Sequence, residues 1–338
     1  MLEIYVTLFT LFVTFFFNFV SKKYQFLIDK KFTPHKSFVS NELTPVTGGI
    51  IFCFALFIFL PFESHIIMIF LFLVFGIGLL SDLNYLISPT KRFFLQVLTI
   101  LTFIFFSQTF ISSVRINFID LLLNNIFFSY FLTMFCLLIL INGANFMDGV
   151  NTLFLGYFLG ITVILFLVIH KLGISIDWQN FTIIIFILSI LLIFNVFGRL
   201  LSGDSGAYSI SFLLGFFLIK ISNLSSLVSP YFVACLLWYP AYECLFSIIR
   251  KKILKLSVTK PDNNHLHHLV LVYLKNNFSL KKNYLNTFTG LIINMFNYLI
   301  FYNAYQNISQ TKNLVLLMVI SILFYNLIYF YLNKTFKN

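Results

Sequence analysis

Apolar stretches of about 16–22 residues recur along the whole chain, separated by short polar segments, and each is long enough to cross a hydrocarbon core about 30 Å thick. The pattern predicts eleven helices, near residues 2–20, 46–62, 65–81, 92–111, 126–142, 152–170, 181–198, 207–221, 229–249, 284–303 and 313–332. The expected fold class is therefore all-α: a polytopic membrane helical bundle with ten or eleven transmembrane helices, forming a single integral-membrane domain over residues 1–338. The first run has Glu3 and no basic residue ahead of it, lacks a small-residue cleavage site, and is followed by Lys22 and Lys23. We read it as a retained span, not a signal peptide.

Composition agrees with the pattern. The chain is 60% hydrophobic and 10% charged, with 48 phenylalanines among 338 residues, and no polar stretch is long enough for a soluble domain. Cys53, Cys136, Cys235 and Cys244 fall inside predicted spans without metal-ligand spacing, and are expected to be small buried hydrophobes without disulfides. The net charge of +11 orients the bundle. With the N-terminus outside, 18 of the 22 basic residues fall in inward loops, leaving Arg115, Lys171, Lys220 and Lys312 outside. The excess of positive charge thus reads as membrane orientation and anionic headgroups; the bilayer, and no nucleic acid, is the expected partner.

Charge also selects the candidate chemistry. Asp82, Asp148 and Asp204 each follow the end of a long apolar run, in GLLSDLNYLISP, NGANFMDGVN and GRLLSGDSGAY. A carboxylate at the centre of a membrane helix costs about 2.5–3.5 kcal/mol, so three acids held at apolar borders point to a use. In the eleven-helix topology they follow the third, fifth and seventh runs. All three emerge on the cytoplasmic face, together with the basic loop 250–283, so four loops distant in sequence meet at one membrane face. Phosphate and magnesium chemistry suits such a set.

Five motifs, in order, resemble those of the polyprenyl-phosphate N-acetylhexosamine-1-phosphate transferases (glycosyltransferase family 4). TPVTGG at 44–49 resembles TPxxGG; DLNYLISPTKRFFLQ at 82–96 resembles DDxxxLSPxxRxxxQ; NGANFMDGVN at 142–151 resembles NAxNxxDGxD. GDSGAY at 203–208 resembles GDxGS, and DNNHLHH at 262–268 resembles DRxHxHH, while Pro240, Glu243 and Arg250 fit a Pro, acid and Arg pattern leading into that last loop. The HLHH form is similar to that of the bacterial GlcNAc-phosphate transferases. The resemblance implies transfer of an N-acetylhexosamine 1-phosphate from a UDP-sugar to polyprenyl (undecaprenyl) phosphate. UMP leaves, and the reaction is the first membrane step of cell-envelope polysaccharide assembly at a bacterial inner membrane.

By the same resemblance, Asp82, Asp148 and Asp204 are the candidate catalytic residues, with Asp204 the ligand of Mg2+, or of Mn2+ in its place. Mg2+ prefers one or two carboxylates together with water and substrate oxygens. Asp82 matches the first acid of the family's pair, suited to accepting a proton from the lipid phosphate or organising the metal. Asn145 and Asn151 match a motif that lines the nucleotide pocket; His265, His267 and His268 are placed to donate to diphosphate oxygens; Lys91 and Arg92 suit the prenyl phosphate. The prenyl chain is expected along the ninth run, where Pro240 predicts a kink.

Departures from the pattern qualify these roles. Leu83 stands where the family has its second aspartate, so a role needing both carboxylates does not transfer. Asn151 replaces an Asp, Asn263 an Arg and Ala207 a Ser. Asp82 would act alone, and a phosphate monoester, with a second pKa near 6, is already largely dianionic at pH 7. Glu243 reads as satisfying a buried partner, or backbone freed near Pro240, and Asp29, Asp120, Asp177 and Asp262 as surface charges. Two other classes remain: a lipid-linked sugar transporter, disfavoured by nearly charge-free helix interiors, and a non-catalytic scaffold of a glycan-assembly complex. The identity of the sugar, and dimerisation, are not legible.

Overall fold

The computed structural model describes residues 1–28, 44–61, 64–257 and 264–335. Asp29, Asp262, Asn263 and the lysines between 30 and 36 lie outside the described residues, as does the start of the DNNHLHH motif. Thirteen helices follow one another: α1 Leu2–Tyr24, α2 Gly48–Phe59, α3 His65–Asp82, α4 Pro89–Ser107, α5 Asn117–Leu123, α6 Ile126–Met147, α7 Leu153–Leu172, α8 Trp178–Val196, α9 Gly203–Leu224, α10 Pro230–Ile253, α11 Leu266–Asn277, α12 Lys282–Gln306 and α13 Thr311–Thr335. The described residues contain no strand, only an isolated bridge between Ile28 and Pro45.

The eleven expected helices are all present, joined by two shorter ones, α5 and α11. Nine helices among the described residues are long and apolar enough to span a membrane. The chain is thus a multi-pass membrane bundle. Of the other two expected spans, α2 has only twelve residues. In α12, Asn286, Thr287, Thr289, Asn294 and Asn297 are buried, so this helix turns amides and hydroxyls inward where its neighbours turn aliphatics. They are not idle: Asn294 Nδ2 donates to the Thr152 and Leu153 carbonyls, Tyr298 to the Gly156 carbonyl, and Trp238 Nε1 to Asn297 Oδ1. Paired in this way, polar groups are tolerable at membrane depth.

Helix α9 is the most enclosed of the nine spans, packed against α2, α3, α6 and α7, whereas α4 and α13 are the most exposed and present a lipid-facing surface. The core is aromatic and aliphatic, with Phe103 edge-on to Phe212 at 4.9 Å and Phe181 beside Phe217 at 4.8 Å. α10 runs unbroken through Pro240. All four cysteines are free; Cys53, Cys235 and Cys244 are buried as expected, but Cys136 is exposed, because it lies on the outward face of α6. On an all-apolar helix, sequence pattern separates inward from outward positions poorly.

Candidate active site at one end of the bundle

The TPVTGG segment shapes the entry to α9. Leu201 donates its N–H to the Pro45 carbonyl at 2.9 Å, Gly48 to Leu201 at 3.0 Å, and Gly49 to Ser202 at 3.1 Å. Residues 201 and 202 are thereby stitched to the start of α2. Gly203 then turns the chain into α9 with φ +72°, and a Cβ there would lie 2.4 Å from Val46 Cγ1 and 2.7 Å from Asp82 Oδ2. Both the backbone conformation and the space require glycine. Gly78 lets α3 approach so closely that a Cβ would lie 2.4 Å from Ser205 Cα.

This close approach delivers the three aspartates to one turn. Asp82, the last residue of α3, accepts from the backbone N–H of Asp204 at 2.8 Å and of Ser205 at 3.0 Å, and from Ser205 Oγ at 2.6 Å. Asp148, just past α6, accepts from the Gly203 N–H at 2.9 Å. Three consecutive N–H groups at the start of α9, which have no partner within the helix, are thus satisfied by two carboxylates, and the negative charge sits at the positive end of the helix dipole.

Asp204 points elsewhere. Its Oδ2 receives Arg92 Nη1 at 2.5 Å and Ser81 Oγ at 2.5 Å, with Arg92 also donating to Ser81 Oγ at 2.6 Å. The Arg92 and Asp204 side chains are about a fifth exposed, at 23% and 21%. Asp204 Oδ1 accepts from none of the described residues. Lys91, one residue before Arg92, is exposed and forms no ion pair among the described residues; its backbone N–H takes the Ser88 cap at the start of α4. The basic pair therefore divides, Arg92 toward the acid and Lys91 outward.

The histidine motif closes on the same place. His265 Nδ1 lies 3.0 Å from Glu243 Oε2, and the Leu266 N–H donates to Glu243 Oε1 at 3.1 Å, so a buried acid on α10 anchors the start of α11. Arg250 donates to the Asn264 carbonyl and, at 2.8 Å, to Tyr329 Oη. The acid and Arg of the α10 pattern therefore grip the two sides of the motif, and Glu243 has the buried partner expected of it. His267 is fully buried against the turn after Asp148: a Cβ on Gly149 would lie 3.0 Å from its Nε2 and 3.3 Å from His268 Cε1. Neither His267 ring nitrogen has a hydrogen-bond partner, and burial, reinforced by His268 and His265, holds its pKa well below the usual histidine range.

The asparagines also separate. Asn145, on the last turn of α6, is half-buried and makes no side-chain hydrogen bond among the described residues. Asn151 is buried and turned to α12, with its N–H on Asn286 Oδ1 at 3.1 Å and its Nδ2 3.5 Å from Thr287 Oγ1. It braces the turn that carries Asp148 and does not face the aspartates. The sequence reading did not single out Ser81 or Ser205. The available signal was their position, each a small hydroxyl directly beside a candidate aspartate.

Residues 64–222, which carry Asp82, Arg92, Asp148 and Asp204, match the model of glycosyl transferase family 4. The match covers just under half of the chain, and it is this central segment that is similar to the family. A relative from Bacillus subtilis (strain 168), described as a probable undecaprenyl-phosphate N-acetylglucosaminyl 1-phosphate transferase, is 26% identical over 223 residues, covering 60% of this chain and 56% of the relative. The chain thus matches a little over half the length of that relative. The family match ends before the histidine motif, whose place beside the Asp148 turn rests on the geometry above.

Proposed function

We propose that this protein transfers an N-acetylhexosamine 1-phosphate from a UDP-sugar to a polyprenyl phosphate, releasing UMP, from a site on the cytoplasmic side of a bacterial inner membrane. The observation that carries the reading is the meeting, at one end of an apolar bundle, of the Arg92–Asp204 pair with the histidine motif and the Asp148 turn. The match of residues 64–222 to glycosyl transferase family 4 and the name of the Bacillus relative support the same chemistry.

The demands of the reaction match these residues. Phosphoryl transfer needs the diphosphate charge offset and the two phosphates held in line. The described residues hold no cluster of three or more His, Cys, Asp or Glu able to enclose a metal. Asp204 nevertheless offers Oδ1, which suits Mg2+, an ion that takes one or two carboxylates and fills its octahedron with water and substrate oxygens. When bound there, Mg2+ would offset charge on the diphosphate. Arg92 spends one terminal nitrogen on Ser81 and Asp204, and its remaining donors suit the acceptor phosphate. Lys91, exposed at the start of α4, supplies a second positive charge near the headgroup. His265 and His268 flank His267 at the diphosphate. Asn145 can both donate to and accept from a uracil edge.

The test is UMP release by the purified protein in detergent, with undecaprenyl phosphate and a panel of UDP-N-acetylhexosamines, with and without Mg2+. UMP that depends on lipid and metal supports the transferase and names its sugar. Folded protein that releases none with any donor returns the scaffold reading to the front. Within the assay, Arg92→Lys should lower kcat/KM for the lipid about 10-fold or more, since an ammonium cannot bridge Ser81, Asp204 and a phosphate as a guanidinium does.

A further inference from the structure

Asp82 occupies the position where the proposed reaction offers a proton acceptor, yet its contacts describe a different task. Oδ1 accepts the Asp204 N–H, and Oδ2 accepts both the N–H and the hydroxyl of Ser205. Both oxygens are committed to the first turn of α9, at good hydrogen-bond distances, by a residue 122 positions away in sequence. The fit is tight from the other side too, because Gly203 presents no side chain to Asp82 and Gly78 none to Ser205. Asp148 completes the set by taking the Gly203 N–H.

We infer that Asp82 is a positioning residue: it clamps the N-terminus of α9, so that Asp204, whose own N–H it holds, presents its carboxylate to Arg92 and to the substrate. It does not take a proton from the acceptor. This inference rests on the transferase reading for its catalytic consequence, and on the hydrogen bonds alone for the clamp. It also accounts for Leu83. A clamp needs one carboxylate at the helix border, and the neighbouring residue caps α3 with its N–H on the Leu79 carbonyl, a task indifferent to its side chain. The chemistry permits it as well, since the acceptor phosphate is largely dianionic at pH 7 and already nucleophilic.

Two measurements test the clamp independently. The first is UMP release, resolved into kcat and KM, for the parent, Asp82→Asn, Ser205→Ala and the double variant. A displaced Asp204 should lower the rate about 10- to 100-fold in Asp82→Asn, the size of effect expected from misplacing a group by about 1 Å. The loss should fall on kcat, with KM for both substrates little changed, as for a group misplaced in the transition state. Ser205→Ala should lose about 3- to 10-fold, and the double variant less than the product of the two, because both residues serve one contact. Ser205→Ala at the parental rate, with the double variant no slower than Asp82→Asn alone, would overturn the inference in favour of a general base. The second is hydrogen exchange of the segment 200–207 in Asp82→Leu, which removes both acceptors. The amides of 204 and 205 should exchange at least about 10-fold faster while the rest of α9 keeps its protection. Unchanged exchange would sink the clamp whatever the activity. A parent protein that releases no UMP defeats the transferase reading, and exchange alone then decides the clamp.

Discussion

The two ends of the bundle both carry charge but use it differently. At the end away from the aspartates, Arg115 donates from its two terminal nitrogens to the carbonyls of Ser226, Val228 and Ser309 and to the Thr311 hydroxyl. Asp120 turns back onto Ser113 Oγ and the Val114 N–H, and Ser112 meets Asn223. There the charged groups tie together the loops after α4, α9 and α12. At the other end Asp82 and Asp148 do similar work on the N-terminus of α9, but the Arg92–Asp204 pair is only partly spent, a fifth exposed, with Oδ1 and several guanidinium donors not engaged by the described residues. Charge at a membrane border is thus no sign of chemistry by itself. What distinguishes the site end is bonding capacity left over after the fold is satisfied.

The sharpest way to break this comparison is to remove that leftover capacity. Asp204→Asn keeps an acceptor for Arg92 and Ser81 but weakens the group proposed to meet the ion. UMP release should fall by about 10³-fold or more, the scale of losing an electrostatic stabiliser, while the apparent Tm in detergent stays within a few degrees of the parent. A rate within 10-fold of the parent would mean that the exposed carboxylate is as structural as its two neighbours.

Glu243 is the next largest effect and tests the opposite property, a charge wholly spent on the fold. Glu243→Ala strips acceptors from the Leu266 N–H and from His265, both buried, and should destabilise by about 2–6 kcal/mol, at about 1–3 kcal/mol for each group left unsatisfied. The apparent Tm should drop clearly, and Glu243→Gln, which still accepts a hydrogen bond, should recover most of the loss. A variant with parental Tm would detach the histidine motif from α10.

How much of this was legible follows from the range of each interaction. The eleven apolar runs were readable because hydropathy alone sets membrane helices, and the parity of those runs sufficed to bring Asp82, Asp148 and Asp204 to one end. α11 escaped because LHHLVLVYLKNN is short and sits within a basic loop. α12 was read as one more span, but its inward asparagines find partners on α7 and α10 that no local pattern announces. The direction of each side chain was the illegible part. Lys91 and Arg92 are adjacent and alike in sequence, and only the fold sends one to Asp204; Asn151 sits in a nucleotide-pocket motif, yet α12 claims it.

The smallest expected effect belongs to the far end. Arg115 is exposed, and its partners are carbonyls and a hydroxyl that water can serve in its absence. Arg115→Ala should therefore destabilise by about 1 kcal/mol, the usual net worth of exchangeable hydrogen bonds, read as a drop of a few degrees in apparent Tm. UMP release should remain within about 2-fold of the parent. The variant carries more weight than its size suggests, because α9 runs from the aspartate turn at Gly203 to Leu224 beside the Arg115 loops. If Arg115→Ala slowed UMP release as strongly as Asp204→Asn, the two ends would be coupled through that central helix, and the far clasp would belong to the working machinery.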